Sequence, residues 1–107
     1  MPIRRRSIPP AFLAELCRRL SAAGAERIWL FGSHARGEAD EDSDVDLVVV
    51  QRTELPFFER IRTLTALVDP DWRVDLLVYT PDELATMLGQ GNAFAELIQE
   101  EGVELRA

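Results

Sequence analysis

The stretch Val45-Asp46-Leu47-Val48-Val49-Val50 constrains the fold more than any other part of the chain. It is a β-branched, nearly continuous apolar run, too apolar for an exposed edge strand, and it calls for a sheet with helices packed on it. A chain of 107 residues can supply that cover, because a domain of this size buries roughly 60–70% of the surface its unfolded form exposes. The same run begins in carboxylates. Glu38, Asp40, Glu41, Asp42, Asp44 and Asp46 follow closely on a glycine-serine turn, Gly32-Ser33.

Hydrophobic spacing supplies the remaining elements. Leu13, Leu16, Cys17 and Leu20 recur at three- and four-residue intervals after Pro9-Pro10 and stop at Gly24, which predicts a helix with a glycine C-cap. Strands are expected near 27–31, 45–50 and 73–79, with a short edge near 103–105. Pro56 opens a second long helix carrying Phe57, Ile61, Leu64 and Val68, and Pro70 follows its end. Thr80-Pro81-Asp82-Glu83 is a capping box that opens a third, and Asn92 caps a fourth that ends at Gly102. The helical crossover between the second and third strands makes them parallel. If Gly32-Ser33 and the acids belong to one site, the first strand runs antiparallel to the second. The expectation is a single α/β domain over 1–107 with a small mixed sheet.

Asp44 and Asp46 stand two apart on an extended segment, so they share a face at ~6–7 Å along the chain, while Val45, Leu47 and Val49 turn into the core. Asp75, in Val74-Asp75-Leu76, lies equally near the start of the third strand, and parallel pairing brings all three carboxylates to one end of the sheet. Converging carboxylates repel, and hard cations such as Mg²⁺ relieve this. Gly32 lets a backbone approach a ligand closely, and Ser33 offers a hydroxyl and an amide at the start of a helical turn. Together these features suggest a nucleoside triphosphate carried with its magnesium. An EF-hand reading fails: with Asp40, Asp42 and Asp44 at positions 1, 3 and 5, Val45 replaces the glycine and Gln51 the glutamate. Arg36 reads equally as a phosphate contact or a loop ion pair. His34 reads as solvent-facing, and Glu38, Asp40, Glu41 and Asp42 as a solvated loop.

The pattern Gly32-Ser33-His34-Ala35-Arg36-Gly37, then Ser43-Asp44-Val45-Asp46-Leu47, resembles the nucleotidyltransferase superfamily that includes DNA polymerase beta, and more closely the minimal nucleotidyltransferases of prokaryotes. The resemblance spans essentially the whole chain. It implies the polymerase-beta-like fold, with Asp44, Asp46 and Asp75 as catalytic acids and ligands of two Mg²⁺ or Mn²⁺ ions, and Gly32 and Ser33 holding the triphosphate of ATP. It further implies transfer of AMP to a hydroxyl, favouring a tyrosine, on a HEPN-domain toxin for which this chain is the antitoxin. The alternatives are a subunit that neutralises a toxin by contact alone, or a stand-alone transferase with another acceptor.

The net charge of −7, with 19 acids against 12 arginines and no lysine, argues against tight binding of nucleic acid. No apolar run approaches the ~20 residues of a membrane span. Cys17 is alone and reads as a reduced core residue, and Arg4-Arg5-Arg6 has no apolar segment behind it and reads as a solvated end, so a cytoplasmic address is expected. The chain closes soon after its core, so the acceptor is expected from a partner, and helix faces that serve as both core and partner surface suit a homo- or hetero-oligomer.

Overall fold

In the computed structural model, residues 7–105 run in the order α1 (Pro10–Ala22), β1 (Ala25–Phe31), β2 (Val45–Gln51), α2 (Phe57–Thr65), β3 (Val74–Tyr79), α3 (Pro81–Gly89), α4 (Ala93–Glu101) and β4 (Val103–Leu105). The arginines Arg4 to Arg6 lie outside the described residues. The four strands form one mixed sheet in the order β3-β2-β1-β4. β2 pairs antiparallel with β1 and parallel with β3, and β4 pairs antiparallel with β1. The crossover through α2 accounts for the parallel pair, as its length requires.

Alternation along β2 divides the side chains between two layers. Val45, Leu47 and Val49 join Ile28, Leu30, Leu76 and Val78 against Leu16, Cys17 and Leu20 of α1 and Leu64 of α2. On the other face Val50 packs with Leu84 of α3 and Ala95 of α4, bordered by Tyr79, Met87 and Leu88. Val45, Leu47, Val48 and Val49 are completely buried, so β2 is the spine to which the rest of the molecule is fitted. Asp46 shares the parity of Val48 and Val50, which puts it on the α3/α4 face at the end where β2 begins.

The helix ends have local causes. Gly24, in the left-handed region at φ +111°, closes α1 by donating its N–H to Ser21 O. Thr80 and Glu83 complete the capping box in both directions at α3, and the Asn92 side chain accepts from Ala95 N at the start of α4. α2 is shorter than its apolar spacing predicts. It ends at Thr65, and Leu67 N and Val68 N then bond back three residues to Leu64 O and Thr65 O in a tighter turn before Pro70. Gly102 stops α4 without a left-handed backbone; a Cβ there would stand 2.3 Å from Ile98 O and 3.2 Å from the Trp29 ring.

Candidate active site

β1 ends at Phe31, which lies opposite Asp46 in the antiparallel register, and the chain then turns sharply at Gly32. Gly32 sits at φ +75°, and a Cβ added to it would stand 2.5 Å from Asp46 Oδ2. Glycine is thus required twice, by the backbone conformation and by the carboxylate packed against it. Beyond it the chain makes one helical turn: Arg36 N donates to Gly32 O, Gly37 N to His34 O and Glu38 N to Ser33 O. Ser33, next after Gly32, opens that turn.

Asp46 is directly opposite Asp75 in the parallel register of β2 and β3, a strand spacing of ~4.8 Å, and Asp44 precedes Asp46 by two residues at the mouth of β2. The three acids predicted from sequence therefore reach one end of the sheet. Burial pushes the Asp46 carboxyl above its usual range, the charges of Asp75 and Asp44 push it further, and His34 and Arg36 partly offset them. Asp46 is thus the centre of the group, electrostatically in touch with both other acids. Asp75 is exposed and open to a ligand.

Among the described residues no three carboxylate, imidazole or thiol groups already stand close enough together to hold a metal ion. Carboxylates sharing a site without a cation between them repel, which keeps such a group open. Asp44 Oδ1 is buried and accepts no hydrogen bond, although Arg73 Nε forms an ion pair with it at 3.1 Å. A buried carboxylate oxygen without a donor, beside a carboxyl raised by burial and by two like charges, fits a hard cation that takes oxygen ligands.

The neighbouring residues sort themselves by their contacts. Arg36 pairs with Glu38 at 3.1 Å, the loop ion pair of the two readings available from sequence. Asp40 organises its loop: its carboxylate accepts from Asp42 N and the Ser43 hydroxyl, while Asp40 N donates to Ser43 Oγ. His34 is not solvent-facing as expected. It is half-buried, its ring 6.4 Å from that of Trp72, and its Nε2 is buried without a hydrogen-bond partner. Trp72 approaches from the loop before β3, a contact no local pattern signals.

Residues 11–106 match the family model described as the Nucleotidyltransferase domain. The chain belongs to this family. Nucleotidyltransferase-domain relatives include the MntA protein of Haemophilus influenzae, described as a probable protein adenylyltransferase. It is 42% identical over 52 residues, covering 47% of this chain and 46% of the relative. The MntA protein adenylyltransferase of Thermococcus cleftensis is 46% identical over 59 residues, covering 51% of this chain and 57% of the relative. The chain thus spans about half the length of these curated relatives. Among solved structures, a toxin-antitoxin crystallised with AMP-PNP superposes with a TM-score of 0.56 at 25% identity, over 94% of this chain and 74% of that one. The polymerase-beta-like nucleotidyltransferase fold expected from the motif is therefore the observed one. Among the described residues no helix is long and apolar enough to cross a membrane.

Proposed function

We propose that this chain, as a single nucleotidyltransferase domain, transfers AMP from ATP to a hydroxyl of a protein partner, and that the partner is a HEPN-domain toxin for which it is the antitoxin. The observation that carries the reading is the close approach of Gly32 to Asp46, with Asp44 and Asp75 converging on the same carboxylate. An adenylyltransferase description for two relatives and an AMP-PNP complex of a similar fold support the choice of ATP and of a protein acceptor.

In this reading Asp44, Asp46 and Asp75 hold two Mg²⁺ or Mn²⁺ ions. Held there, the ions would supply charge neutralisation for the triphosphate and a lower pKa for the attacking hydroxyl. Gly32 leaves the backbone open to the polyphosphate, and Ser33 donates its N–H and hydroxyl to a phosphate oxygen. Asp75, the exposed acid of the three, faces the acceptor and takes the hydroxyl proton as its oxygen bonds to the α-phosphorus. The α–β phosphoanhydride bond breaks in the same in-line displacement, and pyrophosphate leaves. A tyrosine of the toxin is the proposed acceptor. The buried thiol of Cys17 suits a reducing, cytoplasmic setting.

The test incubates the protein with its co-purified partner, Mg²⁺ and labelled ATP. Label on the partner, lost on Asp46→Asn, is the expected result. Neutralisation of the partner without label would establish binding by contact in its place.

A further inference from the structure

Arg73 lies just before β3 and touches the segment that carries Asp44 at three places. Its carbonyl accepts from Val45 N at 2.8 Å, its guanidinium donates to Asp42 O, and its Nε forms the 3.1 Å ion pair with Asp44 Oδ1. Among the described residues this is the one ion pair made by any of the three acids, since neither Asp46 nor Asp75 has a cation within pairing distance. The pair lacks hydrogen-bond geometry at the carboxylate, and its partners are 66% and 41% exposed. Such a pair is weak and exchangeable, unlike a buried bidentate one.

We propose that Arg73 is the counter-cation of Asp44 in the metal-free protein, positioning that carboxylate and yielding Oδ1 when a divalent cation binds. Arg73 is then a positioning residue that sets the metal affinity of the site by competing for a ligand. Its backbone is fixed by the β2–β3 pairing, so the guanidinium can move away without loss of the strand register. The inference rests on the assignment of Asp44 as a metal ligand under the proposed function.

Mn²⁺ alone is the probe, titrated into the full chain without nucleotide and followed by the electron paramagnetic resonance of free Mn²⁺. Arg73→Gln is expected to bind Mn²⁺ roughly two- to fivefold more tightly than the unaltered protein, because an exposed ion pair no longer competes. Arg73→Lys, which keeps the charge, is expected to stay near the unaltered affinity. Metal-free Arg73→Gln should also melt below the unaltered protein and recover that difference on adding Mn²⁺. Unchanged or weaker Mn²⁺ binding by Arg73→Gln, with Asp44→Asn losing the site, would overturn the role of Arg73 and leave the metal assignment standing. If Asp44→Asn binds Mn²⁺ as the unaltered protein does, both fall.

Discussion

A methyl group at position 32 would lie 2.5 Å from Asp46 Oδ2 on a backbone held at φ +75°, so Gly32→Ala meets a clash and a left-handed strain together. It is expected to cost about 1–2 kcal/mol in urea unfolding and to weaken ATP binding by calorimetry as Asp46 is displaced. Intact affinity would mean that the phosphates lie elsewhere. Asp46→Asn acts in the opposite sense on stability, because it removes a charge that Asp75 and Asp44 both oppose. Its melting temperature should equal or slightly exceed that of the unaltered protein while transfer is lost, and a large drop in melting temperature would contradict the repulsion. The positions of Asp44, Asp46, Asp75 and Gly32 were legible because alternation along a strand and a parallel crossover fix them with local rules. Arg73 was not, since its hydrogen bond to Asp42 spans 31 residues of sequence. The burial of His34 was not legible for the same reason, its neighbour Trp72 being supplied by another loop.

Between elements, Arg60 is the chief polar tie. Its guanidinium donates to Leu55 O, Val78 O and Glu83, joining the loop before α2, the end of β3 and the cap of α3. The Arg60 hydrogen bond, aided by Thr80 N, holds the Glu83 carboxyl below its ordinary range. A lowered folded-state value makes this stabilisation fully present above the ordinary pKa of 4.5 and lost as pH falls through the folded value. Glu83→Gln should therefore be less stable than the unaltered protein by about 1 kcal/mol at pH 7, a figure that allows for the half-exposed carboxylate, and the gap should close in acid. Parallel unfolding curves with a gap constant from pH 7 to pH 3 would exclude the linkage. Gly102→Ala should lower the thermal midpoint by roughly 5 °C or more, because a Cβ there would stand 2.3 Å from Ile98 O. Its place as a helix stop was legible, but its tight fit against Trp29 was not, being a contact between α4 and β1. The early end of α2 was not legible, because the apolar spacing continues through Leu67 and Val68, which pack on the core from a turn as well as from a helix.

At the scale of the molecule, the sheet order follows from two constraints present in the sequence. The α2 crossover makes β2 and β3 parallel, and bringing Gly32 to Asp46 makes β1 antiparallel to β2. The pairing of β4 with β1 was not legible, since three residues carry too little pattern to name a neighbour. What results is a sheet whose two faces are filled by helices while one end gathers three acids beside a glycine turn. The central claim is that this end performs adenylyl transfer, and mass spectrometry of the co-purified partner, proposed to be a HEPN-type toxin, after incubation with ATP and Mg²⁺ tests it most directly. The account predicts an adenylyl group on a toxin hydroxyl with the unaltered protein and none with Asp44→Asn or Asp46→Asn. Toxin neutralised equally by all three proteins with no mass added would contradict it.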